Sequence, residues 1–271
     1  MSEVPLPTPQ PLGAVVLTAF AWSVLVLLTA LATPAAGGTL GLALGTLLGF
    51  GGAGTLAARA MPPPADRRIG LAGFAPRLLV PLVLLLPVVL LASELDNQVS
   101  ARLFAGAKPP APDAAPGPLD TLEWVLFGVL LRPAIEEFFF RGVVQQGVVA
   151  ALGTSGGVFF TAVLFALVRM SLFARDAYHA TSFGLQALAI GVLLGVVRLT
   201  SGSILASALL LTALEAAGLL AHPLRETLPI PGFNAGGAHT PLAWLAPATL
   251  SVAAGLLLLA RHARAPHREG R

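Results

Sequence analysis

Long apolar runs constrain the fold of this chain more than any other feature. Several stretches of roughly 20 residues carry almost no charge, and an α-helix needs about that length to cross the hydrocarbon core of a bilayer. The composition agrees, because 56% of the residues are hydrophobic and only 11% are charged, whereas soluble domains carry about 25% charged residues. The predicted fold class is therefore all-α, a polytopic bundle of transmembrane helices.

The apolar runs predict eight membrane helices. Their expected ranges are 12–32, 38–58, 78–95, 119–151, 158–174, 183–199, 203–221 and 242–260. A connection rich in proline and alanine, 96–118, separates the first three helices from the last five, and such a composition favours an extended linker. We therefore expect an N-terminal part at 1–118, a five-helix core at 119–260 and a basic tail at 261–271.

The placement of basic residues predicts the orientation of the helices. With both termini in the cytoplasm, ten arginines lie on the inner side and four basic residues on the outer side, in agreement with the positive-inside rule. The inner group comprises Arg59, Arg67, Arg68, Arg77, Arg141, Arg198, Arg261, Arg264, Arg268 and Arg271. We expect an integral protein of a bacterial inner or plasma membrane. Its basic residues contact anionic lipid headgroups, and nucleic acid is not an expected partner.

Charged residues interrupt the fourth apolar run at PAIEEFFFRG, 133–142. Ionisable side chains inside a bilayer are costly, so they usually face a protein interior or a water-filled cavity and mark function. Glu137 and Arg141 have the i,i+4 spacing of a helical ion pair, and Glu136 points about 100° away from Glu137. One glutamate can therefore be held by Arg141 while the other faces a cavity and activates water as a general base.

Two further apolar helices carry a charge at a similar depth. If the turn between the fourth and fifth helices centres near Gly153, Glu137 and Arg169 each lie sixteen residues from it. That separation is about 24 Å of helix, so the two side chains are expected to face each other. Glu215 lies inside the apolar run LLLTALEAAGLL of the seventh helix. Three helices thus place ionisable side chains in the membrane interior.

Three motifs resemble the CAAX-protease and bacteriocin-processing (CPBP) family of intramembrane proteases. EEFFFRG at 136–142 resembles the first motif, two glutamates followed by three residues and an arginine. LFALVR at 164–169 resembles the second, a phenylalanine followed four residues later by a histidine. The stretch 188–216 resembles the region where a Gly-Ser turn precedes a helix with a histidine and, four residues on, an asparagine or aspartate. The resemblance covers about 119–220 and implies endoproteolysis that depends on glutamate and histidine, often described as zinc-dependent.

The chain departs from the family pattern at both histidines. Arg169 stands at the second-motif histidine position, Leu211 at the third-motif histidine position and Glu215 at the asparagine position. No metal site is therefore predicted, and zinc is expected only if the family site still functions. No cysteine is present to supply a thiolate. The candidate catalytic residues are Glu136, Glu137, Arg141, Arg169 and Glu215.

The resemblance and these residues leave three functions open. An endopeptidase would use Glu136 or Glu137 as general base, with Arg141 orienting it, on a membrane peptide or protein substrate. A non-catalytic relative would bind a membrane partner or peptide in the same cavity. Arg169 would then pair with Glu136 or Glu137 in a network whose charges cancel, Arg132, Arg141 and Arg169 against Glu136, Glu137 and Glu215. A small-solute or proton transporter is the third, because intramembrane carboxylates also serve as proton relays. The purely structural alternative is an ion-pair network that fixes helix packing.

Overall fold

The computed structural model describes residues 10–104, 118–173 and 175–264. Regular structure in these ranges is helical, apart from a single bridge between Pro231 and Ala235. The predicted all-α bundle of eight long helices is confirmed. The helices are α1 (Pro11–Ala36), α2 (Gly38–Arg59), α3 (Pro76–Leu103), α4 and α5 (the arms of Thr121–Leu172 before and after Gly153), α6 (Ala177–Ser201), α7 (Ile204–Leu224) and α8 (Leu242–Arg264).

Among the described residues, seven continuous helical stretches are long and apolar enough to cross a bilayer. One of them, Thr121–Leu172, has 52 residues, which is about 78 Å of helix against a hydrocarbon core of about 30 Å. It folds back at Gly153, whose φ of 75° is readily adopted only by glycine. The chain is therefore an integral membrane protein in which α4 and α5 form an antiparallel hairpin.

Several helix boundaries differ from the prediction, and two of these differences change a predicted connection. The turn expected at 152–157 is confined to Gly153, because one residue with positive φ is enough to reverse the chain. The helix expected to end at residue 95 continues to Leu103, since no proline interrupts 88–103 and its polar side chains contact other parts of the protein. The rest of the predicted linker, 105–117, and the basic tail beyond 264 lie outside the described residues. The division into three parts stays a prediction.

A cluster of buried phenylalanines joins α2, α4 and α5 at the level of the charged residues. Phe139 and Phe140 of α4 lie against Phe50 of α2, with ring centroids 4.8 and 5.5 Å from the Phe50 centroid. Phe140 also contacts Phe165 of α5 at 5.4 Å. All four side chains are completely buried. This aromatic core fixes the rotation of α4 and thereby the directions in which its charged side chains point.

The winding of α4 changes around its charged residues. The segments Trp124–Leu131 and Phe138–Val144 are π-helical, and they flank an α-helical segment at Arg132–Glu137. Pro133 lies at the start of that segment and has no N–H to donate to the preceding turn. Wide turns of this kind are frequent at functional sites.

The segment 225–241, here called the strap, joins α7 to α8 and is held against α3. The Asn97 side chain donates a hydrogen bond to the Gly232 carbonyl oxygen at 2.9 Å. The Glu94 carboxylate accepts one from the Thr240 backbone N–H at 2.8 Å. These contacts explain why α3 remains helical beyond its apolar part, since its polar residues bind the strap.

Candidate functional site

Four charged side chains from α4, α5 and α7 form a closed ring, here called the charge ring. Arg169 places Nη2 2.6 Å from Glu136 Oε2 and Nη1 2.6 Å from Glu215 Oε1. Arg132 places Nη2 3.0 Å from Glu215 Oε2 and Nε 3.9 Å from Glu136 Oε1. Each arginine thus contacts both glutamates, and the four formal charges sum to zero.

Glu137 and Arg141 form a separate ion pair, here called the sealed pair. Glu137 Oε1 lies 2.8 Å from Arg141 Nη1, and both side chains are completely buried. Arg141 Nη2 also donates to the Gly191 carbonyl oxygen of α6 at 3.0 Å. Phe165 lies against both groups, with its ring centroid 4.4 Å from the Arg141 guanidinium carbon and 4.8 Å from that of Arg169. Such contacts add cation–π attraction to the packing.

The two groups contain all five candidate residues predicted from the sequence. The predicted i,i+4 contact between Glu137 and Arg141 is present. Matching by depth placed Glu137 opposite Arg169, and this is wrong in detail, because Arg169 binds Glu136. A step of one residue rotates a helical side chain by about 100°, so depth alone does not select between adjacent glutamates. The catalytic roles of the five residues stay predictions.

Arg132 belongs to the charge ring; the sequence placed it in the predicted neutral network but not among the candidate catalytic residues. Two signals pointed to it. Arg132 lies in the apolar fourth run, where a charge marks function, and it precedes Glu136 by four residues, the spacing of a helical ion pair. Its contact with Glu215 depends on how α7 packs against α4, and no local pattern encodes that packing.

A cavity of about 490 Å³ lies between helices α3 to α7 and the strap. The charge ring reaches it through Arg132, Arg169 and Glu215. The first-motif glutamates are withdrawn from it, since Glu136 is 1% exposed and Glu137 is 0% exposed. The arginines and Glu215 therefore present the polar surface that a molecule in the cavity meets on this side.

The residues of this site do not fit a zinc ion. Zinc in proteins is bound by cysteine, histidine and carboxylate ligands. At the two histidine positions of the family stand Arg169, whose guanidinium contacts two carboxylates, and Leu211, an apolar side chain in the cavity wall. Within the described ranges, no three His, Cys, Asp or Glu side chains are arranged to hold a metal ion. A guanidinium is thus the cation that the carboxylates Glu136 and Glu215 bind.

Residues 118–217 match the family model Type II CAAX prenyl endopeptidase Rce1-like. This segment is similar to the Rce1-like family and is here called the Rce1-like domain. The match confirms the CPBP resemblance, and the Rce1-like domain contains every member of the charge ring and of the sealed pair. Helices α1 to α3 and α8 lie outside the Rce1-like domain. No curated protein and no solved structure gives a significant match to the chain.

Proposed function

We propose that this protein is a non-catalytic relative of the CPBP intramembrane endopeptidases and binds a membrane peptide or protein partner through its cavity. One observation carries the proposal: the Arg169 guanidinium lies 2.6 Å from both Glu136 and Glu215. A general base must reach the proton that it removes, directly or through one water. The Glu136 carboxylate instead contacts Arg169 and Arg132. Of these two, Arg169 stands at the position where the family pattern has a histidine.

The surroundings of Glu137 support the same proposal. Its carboxylate is paired with Arg141 inside the aromatic core and is 0% exposed. A base in that position has no contact with a substrate or water in the cavity. The cavity itself favours binding, because it combines apolar walls with a few polar groups, as small-molecule and peptide sites do.

An active endopeptidase is the second candidate, and the retained first motif favours it. Glu136, Glu137 and Arg141 keep the family spacing. Activity would require a bound substrate to displace the Arg169 guanidinium from Glu136, so that the freed carboxylate can act as general base. Charge-assisted contacts are among the strongest hydrogen bonds in proteins, which opposes this displacement.

A cleavage assay on the full-length protein in liposomes separates the two candidates. Prenylated CAAX peptides and apolar membrane peptides are incubated with the native protein and with Glu136→Gln, and products are measured by mass spectrometry. An active CPBP protease serves as the positive control. We expect the native protein and Glu136→Gln to give the same background. A native rate at least tenfold above that of Glu136→Gln overturns the proposal in favour of the endopeptidase.

We also propose that the protein lies in a bacterial inner or plasma membrane with both termini in the cytoplasm. The excess of arginine in the loops on the side of the termini supports this orientation. The strap then lies on the opposite face, and the cavity beneath it belongs to the half of the bundle remote from the cytoplasm. A C-terminal reporter that fluoresces only in the cytoplasm tests the orientation, and a dark fusion contradicts it.

A further inference from the structure

The cavity carries one charge that the charge ring does not balance. Asp96 of α3 lies in the cavity wall. Its Oδ1 accepts hydrogen bonds from the Tyr178 hydroxyl at 2.7 Å and from the Ser182 hydroxyl. In the described part of the chain, no arginine or histidine forms an ion pair with it. Since the charge ring is neutral, the ring and Asp96 together carry one negative charge in excess among the described residues.

The hydrogen bonds of Asp96 leave it able to accept another donor. Both hydroxyl donors reach Oδ1, and a carboxylate has about four acceptor sites over its two oxygens. A carboxylate in a mainly apolar cavity is costly without a counter-charge. A primary ammonium group supplies both the positive charge and three N–H donors. A cation is therefore the group whose chemistry complements Asp96 in the cavity.

The rest of the cavity fits an apolar body attached to that cation. Hydrocarbon and aromatic side chains make up most of the wall, among them Val89, Phe165, Phe183, Ile190 and Phe233. Aromatic faces also attract cations. The volume of about 490 Å³ lies within the range of about 300–1,000 Å³ that is typical of ligand pockets.

We infer that the cavity binds an amphiphilic amine, with its ammonium group on Asp96 and its hydrocarbon part against the apolar wall. This inference rests on the binding role proposed above and names the chemistry of the group that enters the cavity. A membrane peptide can supply that group through a lysine or a free amino terminus, and a lipid can supply it through an ethanolamine headgroup.

Three probes of equal chain length test the inference on the full-length protein in an uncharged detergent. Hexylammonium, hexanoate and hexanol are titrated, and the fluorescence of Trp124 in the cavity wall reports binding. The Trp124→Phe variant gives the background fluorescence of the other two tryptophans, Trp22 and Trp244. We expect hexylammonium to bind at least about tenfold more tightly than the other two, because only it pairs with the carboxylate. Equal binding of hexanoate or hexanol overturns the inference.

Two variants assign the preference to Asp96. Asp96→Asn keeps an acceptor for the two hydroxyl groups but removes the charge, so the preference for hexylammonium is expected to disappear. Glu226→Gln removes an exposed carboxylate of the strap, and this variant is expected to retain the preference for hexylammonium. An unchanged preference in Asp96→Asn overturns the inference. If Asp96→Asn does not fold, the comparison of the three probes on the native protein still decides.

Competition experiments identify the source of the amine. Nanodiscs of phosphatidylethanolamine or phosphatidylglycerol, and an apolar peptide with a free or an acetylated amino terminus, compete with hexylammonium. Competition by phosphatidylethanolamine indicates a lipid, competition by the free peptide indicates a peptide, and competition by neither overturns the inference. The cleavage assay and the binding experiments test different claims. Cleavage by the native protein would overturn the non-catalytic function and leave the amine preference standing.

Discussion

The charge ring and the sealed pair contain adjacent glutamates of α4, Glu136 and Glu137, whose surroundings are opposite. Glu136 joins a network from three helices that reaches the cavity, and the side chains of Arg169 and Glu215 retain 14% and 20% exposure. Glu137 pairs with Arg141 within one helix, and both side chains are 0% exposed. Adjacent carboxylates of the first motif are therefore neutralised in two different ways.

The difference lies in redundancy and solvation. Each member of the charge ring contacts two partners, so the loss of one leaves its neighbours a second contact, and the cavity can admit water to the vacancy. Each member of the sealed pair has a single ionic partner, and its surroundings are aromatic. Removing one partner of a buried pair is costly because the other charge is left uncompensated. The sealed pair is thus expected to be the more sensitive, although it has fewer contacts.

The largest effect is expected from Arg141→Met, which leaves Glu137 without its counter-charge in the core. We expect a loss of about 3–5 kcal/mol of stability, measured as a lower thermal midpoint of the purified protein in detergent. Glu137→Leu combined with Arg141→Met is expected to recover most of the loss, because apolar replacement of both partners is often tolerated. A double variant as unstable as the single one would show that electrostatics is not the cause.

Arg169→Ala is expected to lower the free energy of unfolding by about 2–3 kcal/mol. This loss is smaller because Arg132 still contacts both glutamates and water can enter from the cavity. Thermal unfolding in detergent again measures the change. Arg169→Ala with Glu215→Gln restores neutrality and should be more stable than Arg169→Ala alone. Arg102→Ala, at an exposed position of α3, serves as the matched control. An Arg169→Ala midpoint equal to the native one refutes the charge ring as a stabilising network.

The same contrast explains what the sequence could predict. The sealed pair follows from i,i+4 spacing within one helix, which is local information. For the partner of Arg169, matching by depth pointed to Glu137, and the family pattern left Glu136 and Glu137 as alternatives. Only the packing of α4 selects Glu136. The contribution of Asp96 was not foreseen, because hydropathy ends the apolar run near residue 95 while the helix continues. Long-range packing, rather than local pattern, decides which charges face the cavity.

The strap provides a third test of the contrast between the charge ring and the sealed pair. It bounds the cavity, and the cavity keeps the charge ring partly solvated. Glu94 accepts the Thr240 N–H and lies 2.9 Å from His239 Nδ1. Glu94→Gln weakens these charge-assisted contacts, and we expect a local loss of about 1–2 kcal/mol. Hydrogen exchange should rise in 225–241 and stay unchanged around the sealed pair. Exchange that rises equally in both regions would mean that Glu94 supports the whole bundle. Glu226→Gln is the control for the loss of one negative charge.

The smallest effect is expected at Asp176, an exposed carboxylate that caps α6 outside the membrane helices. Its side chain accepts the His179 backbone N–H at 2.9 Å, and this hydrogen bond holds the pKa of Asp176 below its ordinary value. A carboxyl group with a lower pKa in the folded state stabilises above its unfolded pKa, and the contribution disappears as the pH falls through the folded pKa.

Asp176→Asn keeps a capping acceptor but removes the charge. Thermal midpoints should therefore be slightly lower than native at neutral pH and should converge with the native values in acid. Salt screens exposed charges much more than buried ones. Added salt is accordingly expected to shrink the Asp176→Asn difference and to leave the Arg141→Met difference intact. If salt erases the Arg141→Met difference as well, solvent reaches the sealed pair, and its contrast with the charge ring does not hold.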